Sequence, residues 1–368
     1  MKFLSPVIFL IPALCLFFFL NGYAQVQSPP PAPSFKLFLI GDAGEGDTSG
    51  ATLHDLGRLL TDNPNSAVVF LGDNCYINSF FGLVKLEAGG YDGSKKAKGR
   101  IMSQLNILKG YQGSAYFIPG NHDWFNHINL RQGKKRLLAE QKFIEDTLRK
   151  YTSIINHEEG TFLPVEGSPG PISREFNEGK TRIIFIDSYR LIIEEGRKKR
   201  ADSLMLAAFY AELKVQLTEG AKKHQKIIVV AHHPIHAKGK HSFPLVFWER
   251  LMRRFADSNT NYPPYNRMSN RLDSALKAFH HPDIYFVSGH EHSLEYFFND
   301  SLHYIISGAG SRIDNLKLES CQDNEECLKW NEQGFYEIDF YGRYEKVLMY
   351  HRLDEKSKLE VTCITGCN

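Results

Sequence analysis

Short apolar runs alternate with amphipathic stretches along most of the chain. Six of the apolar runs are rich in β-branched and aromatic residues and therefore predict buried strands, at 36–40, 67–71, 116–119, 182–187, 226–231 and 284–288. Between them, apolar residues recur at helical spacing over 52–60, 130–151, 203–220 and 270–279. This alternation predicts βαβ units built around largely parallel strands.

The pattern changes after Gly289, where four strand-like runs follow one another at 294–298, 302–307, 334–340 and 344–350. Consecutive strands without intervening helices favour a second, antiparallel-rich sheet. Together the two patterns predict a mixed α/β fold, a four-layer αββα sandwich of two mixed β-sheets flanked by helices. We expect a single domain over 35–368, with polar loops at 78–100, 158–173, 238–244 and 259–267 that shape a substrate pocket.

The first 24 residues differ from the rest of the chain. Lys2 gives a positive start, residues 7–20 are almost wholly apolar, and Gly22 and Ala24 place small residues where a signal peptidase would cut. The pattern predicts a secretory signal peptide over 1–24, followed by a proline-rich spacer over 25–34. We therefore expect an exported protein, periplasmic or extracellular. An uncleaved membrane anchor is the competing interpretation.

Charge and cysteine content narrow the possible functions. Lys and Arg number 44 and Asp and Glu number 42, and a formal net charge of +2 argues against a dedicated nucleic-acid surface. Cys15 lies in the signal segment, and an exported protein can keep disulfides among the cysteines that remain. Proximity in sequence favours pairing of Cys321 with Cys327 and of Cys363 with Cys367, although the other connectivities stay open.

Five short polar motifs follow predicted strands in a fixed order. They are Gly41-Asp42-Ala43-Gly44, Gly72-Asp73-Asn74-Cys75-Tyr76, Gly120-Asn121-His122-Asp123, Val229-Val230-Ala231-His232 and Gly289-His290-Glu291-His292. Each motif alone is more typical of a turn, a cap or a surface pair than of a functional site. All five in order, each behind a strand, favour one site that holds two metal ions for the hydrolysis of phosphate esters.

The residue types in these motifs suit two cations, because oxygen ligands bind hard ions and imidazole binds iron, zinc and similar ions. One ion would be held by Asp42, Asp73, Tyr76 and His292, and the other by Asn121, His232 and His290. Asp73 would also reach the second ion, since a bridging carboxylate holds two cations close despite their repulsion. Cys75 lies within the second motif, where we expect a small buried side chain behind the site.

These motifs resemble those of the calcineurin-like metallophosphoesterase superfamily, and most closely those of the small, single-domain purple acid phosphatases of the tartrate-resistant type. The discriminating residue is Tyr76, three positions after Asp73, where most of the superfamily has no tyrosine. Asp42 also lacks the histidine that most of the superfamily places two residues later. The segments His232-His233-Pro234 and Ser307-Gly308-Ala309-Gly310 add to the resemblance, which covers about residues 35–350.

The resemblance implies a ferric ion at Asp42, Asp73, Tyr76 and His292, and a divalent ion (Fe²⁺, Zn²⁺ or Mn²⁺) at Asp73, Asn121, His232 and His290. It implies that His122 contacts the phosphate and that His241 helps to protonate the leaving group. The implied reaction is cleavage of a small phosphate monoester by direct attack of a metal-bound hydroxide, with an acid pH optimum. Two departures from the pattern remove no ligand: Cys75 replaces a bulky residue, and Glu295-Tyr296 lacks the arginine common in the plant type.

Two alternative functions stay open. The first is a metallophosphodiesterase or nucleotide phosphohydrolase that uses the same site, because substrate specificity lies in the insertions. The second is a catalytically silent protein that binds metal or phosphate; retention of all seven proposed ligands argues against it. The sequence leaves open the natural substrate, the identity of the divalent metal and the oligomeric state.

Overall fold

A computed structural model of the protein describes residues 31–45, 50–76, 79–81, 84–86, 91–124, 130–158, 160–197, 200–237, 263–279, 281, 284–299, 301–314, 326–342, 344–354 and 356–367. Nearly all of them belong to one compact unit, Pro33–Asn368. The predicted signal peptide, most of the predicted spacer and His241 lie outside the described residues. Among the described residues, none of the helices combines the length and the apolar composition that a membrane-spanning segment requires.

The strands in the described residues are β1 (Phe35–Ile40), β2 (Ser66–Phe70), β3 (Ser79–Phe81), β4 (Val84–Leu86), β5 (Ser114–Phe117), β6 (Ile172–Phe176), β7 (Thr181–Phe185), β8 (Lys226–Val230), β9 (Ile284–Ser288), β10 (Leu294–Asn299), β11 (Leu302–Ser307), β12 (Glu326–Trp330), β13 (Gln333–Phe340), β14 (Glu345–Arg352) and β15 (Glu360–Thr365). The helices are α1 (Gly50–Asp62), α2 (Lys95–Asn106), α3 (Asn121–Trp124), α4 (Leu130–Leu148), α5 (Ser188–Gly196), α6 (Arg200–Lys222) and α7 (Pro263–Lys277).

These strands form two large mixed sheets and one small hairpin of β3 and β4. The first sheet has the order β15-β14-β13-β1-β2-β5, with β1, β2 and β5 parallel and the other three strands antiparallel. The second has the order β12-β10-β11-β9-β8-β7-β6, with β7, β8, β9 and β11 parallel. Two mixed sheets with helices outside them confirm the predicted αββα sandwich.

The central strands are buried on both faces, which explains why their sequences are apolar without interruption. In β1, Phe38 and Ile40 join a core with α1, α2 and α4, whereas Leu37 and Leu39 join the core between the two sheets. In β8, Ile228 and Val230 face that same central core, while alternate residues pack against α5, α6 and α7. Successive side chains of a strand point to opposite faces, so each run serves two layers.

The prediction that the C-terminal strands form a sheet of their own was wrong. The strands β10, β11 and β12 extend the second sheet beside β9, while β13, β14 and β15 extend the first sheet beside β1. The antiparallel pairing of β13 with β1 places the last three strands in the first sheet; in this pairing Phe340 lies opposite Phe35. An apolar alternation shows which face of a strand is buried, but it does not identify the neighbouring strand.

The predicted polar loops are only partly irregular. The segment 78–100 contains the β3–β4 hairpin and the start of α2, and 158–173 contains a 3₁₀ turn at Val165–Gly167 and the start of β6. Helix α7 begins at Pro263 and so overlaps 259–267, while 238–244 lies outside the described residues. Helix α2 was missed because its sequence is mostly polar; the Ser94 hydroxyl caps it by accepting a hydrogen bond from the Ala97 amide.

The structure tests part of the cysteine prediction. Cys363 and Cys367 form a disulfide, as their spacing favoured. Cys321 lies outside the described residues, so its pairing with Cys327 stays a prediction. Cys75 is a free and fully buried thiol, as expected, and burial raises its pKa well above the ordinary value.

The stacked pair Phe70 and Phe117 offers a test of the core under the first sheet. Their ring centroids lie 4.3 Å apart, and both side chains are fully buried. We expect Phe117→Ala to lower the free energy of unfolding by about 3–5 kcal/mol, because it leaves a cavity beneath β5. Urea unfolding measures this change. Leu353→Ala, at a side chain that is 70% exposed, is the control and should shift stability by less than about 0.5 kcal/mol.

Candidate metal centre

The five motifs follow the ends of β1, β2, β5, β8 and β9, as the sequence predicted. Backbone hydrogen bonds hold these ends together: the Asp42 amide donates to the Gly72 carbonyl at 3.0 Å, and the Gly289 amide donates to the His232 carbonyl at 3.0 Å. The carboxyl ends of parallel strands meet at one edge of a sheet, which brings residues far apart in sequence into contact. All seven proposed ligands lie at this place.

The first group of proposed ligands surrounds the hydroxyl of Tyr76. This hydroxyl lies 2.7 Å from Oδ1 of Asp42, 2.8 Å from Oδ2 of Asp73 and 3.3 Å from Nε2 of His292. The Tyr76 side chain is buried, so its hydroxyl contacts these groups away from bulk water. One phenol oxygen, two carboxylate oxygens and one imidazole nitrogen therefore converge on a single point.

The second group converges on the side-chain oxygen of Asn121. Nε2 of His232 and Nδ1 of His290 lie 3.0 Å and 3.1 Å from this oxygen, and 3.3 Å from each other. Nδ1 of His232 lies 2.8 Å from the carbonyl oxygen of Leu71, a contact that places the ring proton on Nδ1 and leaves Nε2 facing the site. Two ring nitrogens and one amide oxygen are thus available to one cation.

Asp73 connects the two groups. Its Oδ2 accepts from Tyr76 in the first group, and its Oδ1 lies 3.4 Å from Nε2 of His232 in the second. Ligand atoms of Asp42, Asp73 and His232 also lie within 4.8 Å of one another, which is close enough to share a metal ion. This donor set fits two cations bridged by one carboxylate, as proposed from the sequence.

The backbone around the site is strained. Asp42, Asp73 and His290 have positive φ angles of 57°, 52° and 72°. Such left-handed conformations cost non-glycine residues on the order of 1 kcal/mol each and cluster at functional sites. Gly72, with φ of 88°, lies so close to Gly120 that an added Cβ would stand 2.7 Å from the Gly120 nitrogen. These motifs therefore need glycine because their turns pack directly on one another.

Burial and charge shift the acid–base behaviour of the site. Burial raises the pKa of Asp42 to about 6. Burial would also raise the pKa of Asp73, but the charges of His232 and His122 hold it well below its usual range. His232 and His292 have pKa values of about 9, because nearby carboxylates outweigh the effect of burial. The protein without metal thus retains protons where cations would bind.

Asp123 supports the site from behind, a role that the sequence did not reveal. Its Oδ2 accepts from the Gly120 amide at 2.7 Å and from the side-chain amide of Asn74 at 3.1 Å, and its Oδ1 accepts from the Cys75 amide at 3.2 Å. One carboxyl group therefore joins the loop of Asp73 to the loop of Asn121. Burial and the nearby Glu140 raise the pKa of Asp123 well above its usual value.

Other histidines have clear positions near the site. His122 is half-buried beside the first group: its Nε2 lies 3.9 Å from Oδ2 of Asp73, and its ring lies 4.6 Å from that of Tyr76. His233 is buried, and its Nδ1 lies 2.9 Å from the hydroxyl of Ser188. A ligand atom of His233 also lies within 4.8 Å of ligand atoms of His232 and His290. The role of His241 stays a prediction.

Two further residues were missed because they lie beyond the last motif. Nδ1 of His292 lies 3.4 Å from a carboxylate oxygen of Asp314, which can orient the ring. The guanidinium carbon of Arg312 lies 4.3 Å from the centroid of the Tyr76 ring. Both follow the Ser307-Gly308-Ala309-Gly310 segment, whose small residues pack against the first motif; Ser311 donates to the Asp42 carbonyl. That glycine-rich segment was the feature of the sequence that could have indicated these two residues.

The sequence of this chain is similar to that of one described protein family. Residues 35–294 match the sequence model of a family described as calcineurin-like phosphoesterase. Comparison with curated proteins gives no match.

The fold is also similar to solved structures. Plasmodium GAP50, described as the anchor in the inner membrane complex, has a TM-score of 0.55 and 14% identity over 90% of this chain and 88% of that one. PhoD has a TM-score of 0.53 and 10% identity over 91% of this chain and 70% of that one. A dimetal phosphatase from Danio rerio has a TM-score of 0.49 and 14% identity over 90% and 99%. At such identities, the two scores above 0.5 show a shared fold alone.

The raised histidine pKa values predict how the stability of the metal-free protein depends on pH. An imidazole whose folded pKa of about 9 exceeds its unfolded value contributes stability that is complete below about pH 6.5 and lost as the pH rises through 9. We expect the free energy of unfolding to fall by on the order of 3 kcal/mol for each of His232 and His292 between those pH values. The pKa of Asp42 is about 6, so its titration affects stability below this pH range.

Urea unfolding of the chelated protein at several pH values measures this loss. His232→Gln should remove about half of this loss, because only the proton of His292 then contributes. His54→Gln, at a side chain that is 72% exposed, should leave the profile unchanged. A wild-type profile that is flat from pH 6.5 to 9.5 would contradict the assignment.

The position of Asp123 predicts that its removal loosens both loops. We expect Asp123→Ala to cost about 1–3 kcal/mol for each buried donor left without an acceptor, and to weaken metal retention after dialysis. Asp123→Asn, which keeps one acceptor oxygen, should fall between the wild type and Asp123→Ala. The control is Asp146→Ala, at a carboxylate that is 42% exposed. Metal content and stability equal to wild type in Asp123→Ala would show that the loops hold without it.

Proposed function

Since the chain belongs to the calcineurin-like phosphoesterase family, we propose that it is a binuclear-metal acid phosphatase that cleaves small phosphate monoesters. The family places the chain among metal-dependent phosphoesterases. The proposal adds the reaction pH, the kind of ester and the metals, each argued from the residues of the site.

The contact between Tyr76 and the two aspartates carries the proposal. The buried phenol oxygen lies within 2.8 Å of a carboxylate oxygen of Asp42 and of Asp73, and this contact supports our assignment of Tyr76 as a ligand. Phenolate and carboxylate are hard, anionic donors, and they suit a trivalent cation such as Fe³⁺. The group of Asn121, His232 and His290 has neutral donors apart from the shared carboxylate, which suits a divalent ion: Fe²⁺, Zn²⁺ or Mn²⁺.

The side chains divide the work of ester hydrolysis between them. Two cations held by these residues would supply Lewis acidity and would lower the pKa of water, which would allow hydrolysis in acid solution. Asp73 fixes the distance between the two groups, while Asp314 and the Leu71 carbonyl orient the imidazoles of His292 and His232. In this proposal His122, half-buried beside Asp73, would donate a hydrogen bond to a phosphoryl oxygen as negative charge builds up there.

The leaving group needs a proton when the phosphorus–oxygen bond breaks. His241, on a segment outside the described residues, remains our candidate for this donor. Export by the predicted signal peptide is part of the proposal, and the disulfide between Cys363 and Cys367 supports it, because such bonds persist in oxidising compartments.

A second candidate function is a protein that uses this fold without catalysis. It is favoured by one observation: GAP50, whose fold is similar, is described as an anchor and not as an enzyme. The convergence of seven donor side chains in this chain favours the enzyme. A phosphodiesterase would use the same centre, and comparison of rates on an aryl monoester and a bis-aryl diester separates the two activities.

Metal analysis combined with a visible spectrum tests the proposal. We expect two metal ions per chain, including iron, with a broad phenolate-to-iron absorption and hydrolysis of aryl phosphate that is fastest in mildly acid solution. Tyr76→Phe should abolish the absorption, because it removes the phenol oxygen and leaves the ring. Tyr210→Phe, at a tyrosine on α6 outside the site, is the matched control and should keep the colour.

Two results would reject parts of the proposal separately. A metal-loaded protein without iron that still hydrolyses phosphate esters would reject the assignment of the metals alone. A protein with two metals and no hydrolysis between mildly acid and neutral pH would favour the silent binder.

A further inference from the structure

Tyr265 lies beside the second group of proposed ligands, although it belongs to none of the five motifs. It is on the first turn of α7, and its side chain is fully buried. The centroid of its ring is 5.2 Å from that of His233 and 6.1 Å from that of His290, and both pairs are T-shaped. Aromatic rings attract each other in this arrangement and at these distances. The Tyr265 side chain therefore packs directly against a proposed ligand, His290.

The hydroxyl of Tyr265 reaches the turn that follows the other imidazole of the second group. It donates to the carbonyl oxygen of Pro234 at 2.8 Å, two residues after His232. Burial and the charge of Glu291 raise the pKa of Tyr265 well above its ordinary value, so the hydroxyl keeps its proton and acts as the donor. Proline has no backbone N–H, so this carbonyl is the sole backbone hydrogen-bonding group of Pro234.

Helix α7 holds the turn after β8 at two successive residues. The Ile235 carbonyl accepts from the Ser269 hydroxyl at 2.7 Å, next to the bond between Pro234 and Tyr265. Tyr265 and Ser269 are four residues apart and so lie on the same face of the helix. In addition, the Tyr265 ring packs against His290. One side chain thus connects the turn after one imidazole of the second group with the ring of the other.

We propose that Tyr265 is a positioning residue of the metal centre: it fixes the turn after His232 and the ring of His290 relative to each other, and thereby determines how tightly the divalent ion is held. Residues that orient metal ligands typically change metal affinity 10–100-fold when they are replaced. The contacts of Tyr265 described above involve the second group and its turn, so the effect should be selective for that ion. This inference rests on the proposed function, since the divalent ion binds to the second group.

Metal binding by three variants tests this role. Tyr265→Phe removes the hydrogen bond to Pro234 and keeps the ring, whereas Tyr265→Leu also removes the ring. Tyr111→Phe is the matched control: Tyr111 is buried, its hydroxyl lies 2.7 Å from that of Ser66, and Ser66 begins β2 at the end opposite Asp73. Titration of the chelated proteins with Zn²⁺ against a competing chelator gives the affinities of the two sites. The phenolate-to-iron absorption of the iron-loaded proteins reports separately on the first group.

We expect Tyr265→Phe to weaken the binding of one Zn²⁺ about tenfold and to leave the other unchanged, because only the second group loses its brace. Tyr265→Leu should weaken the same ion further, and the absorption should persist in both variants. Tyr111→Phe should match the wild type in both affinities, although its unfolding temperature should fall as that of Tyr265→Phe does, since each loses one buried hydrogen bond. Affinities that are unchanged in Tyr265→Phe, or that fall equally for both ions, would overturn the role of Tyr265 and leave the phosphatase proposal intact.

Failure of the phosphatase proposal has a different signature. A wild type that binds two ions and hydrolyses no ester would reject the phosphatase, and the zinc titration would still decide the inference. If the wild type binds no metal, amide hydrogen exchange in the metal-free proteins decides it, because the His233 amide donates to the Ser188 hydroxyl at 2.9 Å within the turn that Tyr265 holds. Faster exchange of this amide in Tyr265→Phe than in the wild type and Tyr111→Phe would retain Tyr265 as the residue that fixes the turn. Equal exchange in all three proteins would overturn it.

Discussion

The structure depends on the burial of two carboxyl groups, those of Asp42 and Asp73, around one phenol oxygen. Water is excluded from this place, so the negative charge needs compensation by protons or by cations. Without metal, protons provide this compensation: the pKa of Asp42 is raised, and His232 and His292 are protonated at neutral pH. The strained turns and the Asp123 hydrogen bonds serve to keep these groups together despite their repulsion.

Much of the fold and most of the site could be predicted from sequence, for a physical reason. Central strands such as β1 and β8 are buried on both faces, so their runs are continuously apolar and easy to recognise. Residues directly after such strands must lie at the common edge of the sheets. The position of Tyr76 beside Asp42 and Asp73 followed from this rule and from the resemblance, whereas its role as a ligand stays a prediction.

What sequence did not reveal depends on contacts between distant segments. Asp123 appeared only as the last letter of a motif, because nothing local shows that its oxygens accept from Gly120, Asn74 and Cys75 at once. Arg312 follows a glycine-rich turn, and only the folded chain shows that it stacks on Tyr76. The same limit explains the error about β13, whose alternating pattern is compatible with several neighbours. A sequence pattern therefore shows which residues are buried, but it does not show which distant residues or strands they contact.

The pairing of β13 with β1 also sets an order for folding. Phe35 in β1 lies opposite Phe340, so the strand that leads into Asp42 lacks its neighbour on one side until about 300 further residues have been made. Contacts between segments so far apart in sequence form slowly, because a long loop must close before they stabilise anything. The first motif is therefore synthesised early and completed late. During biosynthesis the chain has a long interval in which its metal-binding side chains exist and its metal centre does not.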